Sequence, residues 1–255
     1  MKSITAILGS PRRGNTLLLL ERVAQRLRDS GAGDTEIIHL AERDLQPCRG
    51  CFRCLSHGVG QCPLNDDLGG ILDSIRKADA LILAAPVYIM HVPATMKILF
   101  DRLAFLCHRP ELYRTHAMAL STTGAIGLGK ALSYMADVAS IWGCRSVVEL
   151  GVKTPPGCIA EKELPRDIRK RADKAADLFA ANIARGDDYP VALKSLIQFR
   201  MQRRLFADSA ISEIMPEDHR HYSNLVGVIY PVRAPVSPLK RIAAWMVEKA
   251  AAPFL

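Results

Sequence analysis

Ile4-Thr5-Ala6-Ile7-Leu8-Gly9-Ser10-Pro11-Arg12-Arg13-Gly14-Asn15-Thr16 decides how this chain is read. Ile4 to Leu8 reads as a buried strand, and Leu17, Leu20, Val23, Ala24 and Leu27 recur along one face of a helix from about Thr16 to Arg28. A glycine-containing turn therefore joins a strand to a helix N-terminus, where backbone N–H groups and the helix dipole converge on an anion. Phosphate is the natural ligand. Ser10, Asn15 and Thr16 add short polar groups and Arg12 or Arg13 adds charge, whereas the lysine of a P-loop is missing, which disfavours ATP or GTP. Taken alone, the same residues also suit a tight turn with a helix cap.

Downstream the alternation continues. Glu36–Leu40, Ala80–Ala84, His116–Ser121 and Ser146–Leu150 read as further strands. Between them, helices are expected after a cap at Asp66 or Asp67, from Pro93 through Leu103, over Leu128–Trp142 and over Leu164–Ile183. Right-handed crossovers place such helices on both faces of a parallel sheet. The expected fold is α/β, a flavodoxin-like doubly wound five-stranded parallel sheet in the order 2-1-3-4-5 with a C-terminal helical extension. Residues 1–186 are expected to form the main domain. Residues 187–255 then add a basic helical stretch at Leu193–Phe206, a polar loop at Glu217–Asn224 and an amphipathic helix near Leu239–Ala251, packing on the domain or on a second subunit.

The composition suits a soluble globular protein: 49% hydrophobic and 24% charged over 255 residues. Apolar runs such as Ala78 to Met90 fall short of a membrane span, and the N-terminus reads as a strand rather than a signal peptide, so a cytoplasmic location is expected. The net charge of +8 is spread without basic runs or aromatic-basic arrays, which argues against nucleic acid.

Two more loops follow strand ends: Pro86-Val87-Tyr88-Ile89-Met90-His91 and Ser121-Thr122-Thr123-Gly124. The carboxyl ends of strands form the ligand crevice of an open α/β sheet. Pro86, Val87 and Tyr88 offer an apolar wall for a flat ring, and Thr122, Thr123 and Gly124 offer close backbone approach. With Gly9-Ser10-Pro11-Arg12-x-Gly14-Asn15-Thr16, then Pro86-Val87-Tyr88, then a glycine-bearing loop, residues 1 to 185 resemble the NADPH-dependent FMN reductase superfamily. The resemblance implies FMN, with its phosphate at Ser10, Arg12, Asn15 and Thr16 and its ring near Pro86, Val87, Tyr88 and Ile89 and near Thr122, Thr123 and Gly124. Ile89-Met90-His91 replaces the small residues common in that family, so a bulkier floor is expected under the ring. His91 is open to two readings, a flavin or substrate contact and an ordinary loop histidine.

Four of the seven cysteines fall in one short segment, Cys48, Cys51, Cys54 and Cys62. Clustered thiols in an enzyme-sized chain without a secretory signal point to metal rather than disulfides. Two consecutive x2 steps favour a [4Fe-4S] cluster over zinc, whose structural sites more often use two separated knuckles. A zinc site and reduced thiols remain the alternatives. With Asn65-Asp66-Asp67 following, the chain resembles the iron-sulfur flavoprotein branch of the same superfamily. Cys107, Cys144 and Cys158 read as structural.

The expected activity is FMN-dependent electron transfer from NAD(P)H or a ferredoxin-like donor to a quinone, an oxygen species or a protein acceptor. The rivals are a cluster-free NAD(P)H:FMN or quinone reductase, and a non-catalytic electron carrier or redox sensor. The expected partners are small-molecule or protein redox partners, and the family resemblance implies a homodimer or higher homo-oligomer.

Overall fold

A computed structural model describes residues 2–154 and 164–251. Five strands, β1 (Lys2–Leu8), β2 (Gly33–His39), β3 (Ala80–Pro86), β4 (His116–Thr123) and β5 (Val147–Lys153), pair in parallel in the order β2-β1-β3-β4-β5. This is the expected flavodoxin-like order. The central strands are buried on both faces, so β3 and β4 read as continuous apolar runs rather than alternating ones.

Side-chain alternation divides the core. Ile4, Ala6, Leu8, Ile82 and Met118 pack under α1 (Asn15–Asp29) and α7 (Arg166–Arg185). Ile7, Leu81, Leu83, Ala117 and Ala119 face α3 (Leu68–Lys77), α4 (Ala94–Arg102) and α6 (Leu128–Ile141). Short helices α2 (Arg53–Ser56) and α5 (Phe105–His108) lie in the connections.

β2 begins three residues before its expected start because Gly33 pairs with Lys2, and it ends at His39, where Leu40 opens a 3-10 turn. As an edge strand it keeps Asp34 and Glu36 exposed, so its first half lacked an apolar signature. Pro93 is the N-cap of α4 rather than its first helical residue.

The tail carries α8 (Leu193–Phe206), α9 (Pro216–Ser223) and α10 (Pro238–Ala251). α9 corrects the expected polar loop at Glu217–Asn224. Pro216 opens it, Glu217 and Asp218 suit its N-terminal dipole, and buried Asp218 and Tyr222 hold it down. Leu196, Phe199, Phe206, Tyr222 and Tyr230 form a third apolar cluster, which Tyr113, just before β4, also joins. Arg145, whose side chain is 3% exposed, ties that junction through the Tyr113 and Arg233 carbonyls and the Asp187 carboxylate. Among the described residues no helix is long and apolar enough to cross a membrane.

Candidate functional site: a strand-end crevice beside a four-thiol pocket

The three strand-end loops are bonded to one another. The Gly9 N–H donates to the Ala84 carbonyl at 2.8 Å, and Thr95 Oγ1, in the first turn of α4, donates to the Gly9 carbonyl at 2.7 Å. A Cβ on Gly9 would lie 2.6 Å from Met96 Cβ, so only glycine lets the first loop sit against α4. The buried hydroxyls of Thr16 and Thr122 lie 2.7 Å apart, joining the first loop to the third. The Val87 N–H donates to the Thr122 carbonyl at 2.8 Å, joining the second to the third.

Within the first loop, Ser10 Oγ bonds the Arg12 carbonyl at 2.6 Å and accepts from the Arg12 N–H at 3.2 Å, fixing a compact turn. Gly14, itself buried, is the N-cap of α1 and the cap has no side-chain hydrogen bond. Asn15 Oδ1 is buried with no partner. The two arginines have different fates. Arg13 pairs with Glu42, and with His39 it holds that carboxyl below the usual carboxylate range, while Arg12 is exposed at the loop tip.

In the second loop Tyr88 and His91 exchange both backbone hydrogen bonds, closing a two-residue turn in which Ile89 (φ 43°) and Met90 (φ 68°) are both left-handed. Such residues are uncommon there and mark stored strain. Ile89 is 97% exposed and Tyr88 is exposed, while Pro86 and Val87 are half-buried. Gly127 (φ 87°) supports this turn from behind: a Cβ there would lie 2.8 Å from Met90 Cα and 2.9 Å from Val87 Cγ1. The His91 ring packs on Tyr134 of α6 with centroids 4.3 Å apart. In the third loop buried Thr123 Oγ1 donates to the Ile126 carbonyl and Gly124 is exposed.

Cys48, Cys51, Cys54 and Cys62 line a single pocket after β2, with Arg102, Phe52 and Leu68 among its other walls. Gly50 (φ 63°) and Phe52 (φ 58°) turn the chain between them, and the Gly50 N–H lies 3.4 Å from Cys48 Sγ. Burial pushes the Cys54 thiol up, and the Cys48, Cys62 and Cys51 sulfurs add to that shift. Among the described residues no three His, Cys, Asp or Glu side chains are placed to hold a metal ion. The other cysteines stand apart. Burial raises Cys107, pushes Cys144 up to about 12, and Cys158 lies outside the described residues.

Two arginines that sequence reasoning passed over position this pocket. Arg102, ending α4, is buried with Asp66 in an ion pair whose side chains are 2% and 1% exposed. Its Nη1 also donates to the Gln46 carbonyl at 2.8 Å, and its Nη2 lies 3.7 Å from Cys62 Sγ. Asp66 accepts from the Gln46 and Leu68 N–H groups as well, closing the base of the loop and capping α3. Asp67 closes it again through Asp44. Arg109 holds the far side, donating to the Cys54 carbonyl at 2.6 Å and to the Leu55 carbonyl at 3.3 Å. Its partner is Asp218 of α9, fully buried, which His108 Nδ1 also meets at 2.7 Å.

Crevice and thiol pocket share one helix. Thr95 in the first turn of α4 touches the first loop, and Arg102 in its last turn touches the cysteine loop. Seven residues of helix correspond to about 10 Å along its axis. His39, at the end of β2, ties the first loop to the segment that follows, its ring nitrogens meeting the Ser10 carbonyl at 2.7 Å and Glu42 at 3.0 Å.

The sequence profile of a family described as NADPH-dependent FMN reductase matches residues 2–154. An iron-sulfur flavoprotein of Archaeoglobus fulgidus is 32% identical over 182 residues, covering 70% of this chain and 80% of that protein. The chain belongs to the iron-sulfur flavoproteins of the NADPH-dependent FMN reductase family. An iron-sulfur flavoprotein of Methanocaldococcus jannaschii is 42% identical over 100 residues, 39% of this chain and 50% of that one. Among solved structures, an NADH:FMN oxidoreductase in its apo form superposes with a TM-score of 0.55 at 25% identity, covering 71% of this chain and 90% of that one. As a member of this family the flavoprotein is an FMN-dependent oxidoreductase.

Proposed function

We propose that this flavoprotein holds FMN in the crevice and a [4Fe-4S] cluster on Cys48, Cys51, Cys54 and Cys62, and passes electrons between them. The observation that carries the proposal is the single pocket onto which all four thiols open, tied through α4 to the phosphate-type loop. The flavin accepts a hydride equivalent and the cluster moves single electrons, so the pair converts one kind of donor chemistry into the other.

The crevice residues suit a phosphate-bearing flavin, and four closely spaced thiols are the donor set of a cluster. The N-terminus of α1, which has no side-chain cap bond, receives the phosphate in this reading, with Ser10, Asn15 and Thr16 around it and the exposed Arg12 beside it. The unpartnered Asn15 Oδ1 accepts from a ribityl hydroxyl. Pro86, Val87, Tyr88 and Ile89 provide the wall for the ring, and Thr122, Thr123 and Gly124 its polar edge. Around the thiols, Arg102 and the Gly50 N–H lower the cost of the negative charge that four thiolates and sulfides bring. Residues 1–186 form the flavin-binding domain in this reading, and residues 187–255 brace the cysteine loop through Asp218.

NAD(P)H or a ferredoxin-like protein is the donor, a quinone, an oxygen species or a redox protein the acceptor, and a homodimer in the cytoplasm the working form. Anaerobic rapid mixing of the loaded protein with NADPH tests the electron path. Flavin bleaching followed by loss of the cluster's visible absorption is expected; a cluster that stays oxidised while the flavin is fully reduced, with no acceptor present, refutes it.

A further inference from the structure

We propose that α10 and the arginine-lined pocket beside it form a docking surface for an anionic phospholipid bilayer. The helix is mounted with its polarity reversed. Its body-facing side holds Ala244, fully buried, the Lys240 ammonium donating to the Val191 carbonyl at 2.7 Å, and Glu248 paired with Arg200. Its outer side carries Leu239, Ile242, Trp245 and Met246, which are 79%, 54%, 50% and 54% exposed. At 100° per residue Leu239, Ile242 and Met246 form one ridge with Trp245 on its flank. Solvent therefore meets the apolar stripe that a helix of a globular protein normally turns inward.

Charge selects the occupant. From 226 to 251 the only acid is Glu248, committed to Arg200, whereas Arg233, Arg241 and Lys249 are exposed and Lys249 stands within the outer arc. A second copy seated on the same face would set like charges against each other with no carboxylate between them, which disfavours symmetric self-pairing. Next to α10, Arg203 and Arg204 line a pocket with the exposed Val226; the Arg203 guanidinium donates to the Val228 carbonyl and lies over the Phe199 ring, while Arg204 is exposed. Arg204 has no ion pair among the described residues, and the pocket's two acids are engaged, Glu248 with Arg200 and Asp208 with the Ala210 N–H. This is a seat for a phosphate headgroup beside an apolar ridge.

The dimensions favour lying on the surface. Fourteen residues make a helix of about 21 Å, shorter than the roughly 30 Å hydrocarbon core but suited to burial at the headgroup boundary, where tryptophan is favoured.

The full chain is sedimented with vesicles of phosphatidylcholine alone and of phosphatidylcholine with phosphatidylglycerol. Binding only to the anionic vesicles is expected, weakened by salt and lowered by more than about tenfold in the Ile242→Glu/Met246→Glu variant. Those positions are exposed, so circular dichroism and flavin content should not change. The Arg204→Gln variant, at an exposed position, should weaken binding while leaving α10 intact. Absence of vesicle binding, equal binding to both vesicles, or an Ile242→Glu/Met246→Glu variant that binds normally overturns the proposal. So does a wild-type protein that stays off vesicles and loses a subunit contact in that variant by light scattering.

Discussion

Asp218, fully buried in α9, takes the Arg109 guanidinium whose remaining N–H groups hold the carbonyls of Cys54 and Leu55. A residue in the C-terminal extension thus sets the backbone of a candidate cluster ligand more than 150 positions upstream. Replacing Asp218 by Ala leaves a buried cation without its partner, a loss of about 3–5 kcal/mol in such settings. Denaturant unfolding is expected to show that loss, and reconstituted Asp218→Ala protein to retain less iron at unchanged flavin.

Arg12 and Arg13 separate two roles that look alike in the sequence. Arg13 is occupied by Glu42, while Arg12 stands at the tip of the phosphate-type loop. Arg12→Ala should weaken FMN binding by about 1–2 kcal/mol, roughly tenfold, and Arg13→Ala by less than half of that energy. Fluorescence titration of the apoprotein with FMN measures both; equal effects would contradict the assignment.

Gly127→Ala should damage the crevice without touching a polar group. Its positive φ and the 2.8 Å approach to Met90 Cα leave no room for a methyl group, so the strained Ile89-Met90 turn must shift. A loss of about 1–3 kcal/mol in stability is expected, with slower flavin reduction. Full retention of both would mean that the turn does not shape the ring site.

Arg102 should tune the candidate cluster as well as brace it. Arg102→Gln removes a buried cation 3.7 Å from Cys62 Sγ and is expected to lower the cluster's midpoint potential by tens of millivolts, about 1 kcal/mol for one electron. Arg102→Lys should restore most of it. A redox titration that finds no difference between the two variants would rule this out.

Burial, with Arg145 nearby, lowers His116 to about 4 from an ordinary value of 6.5. The folded chain therefore refuses a proton that the unfolded chain accepts between these values. Stability from this residue is complete above about pH 6.5 and falls as pH drops toward 4, by up to a few kcal/mol. Melting temperatures across that range should show the slope, and His116→Gln should flatten it.

The doubly wound sheet was legible because its buried strands and amphipathic helices repeat at periods that Ile4–Leu8 and Leu17–Leu27 already display. The meeting of the three strand-end loops was legible for a topological reason, since parallel strands bring their carboxyl ends to one edge. α9 was not, because Pro216-Glu217-Asp218-His219-Arg220 has no apolar period and is held by two buried residues. Arg102 and Arg109 were also invisible. An arginine at the end of an apolar helix reads as a solvated cap until its acid is known, and here the acids lie 36 and 109 residues away. The reversed polarity of α10 was hidden similarly: the sequence shows two faces but not which one the body takes.

Anaerobic purification after cluster reconstitution, followed by quantification of iron, sulfide, zinc and flavin, tests the central claim most directly. About four iron, four sulfide and one FMN per chain are predicted, with iron lost in Cys54→Ser while flavin stays. A flavin-bearing protein that takes up zinc and no iron, or no metal at all, would contradict the account.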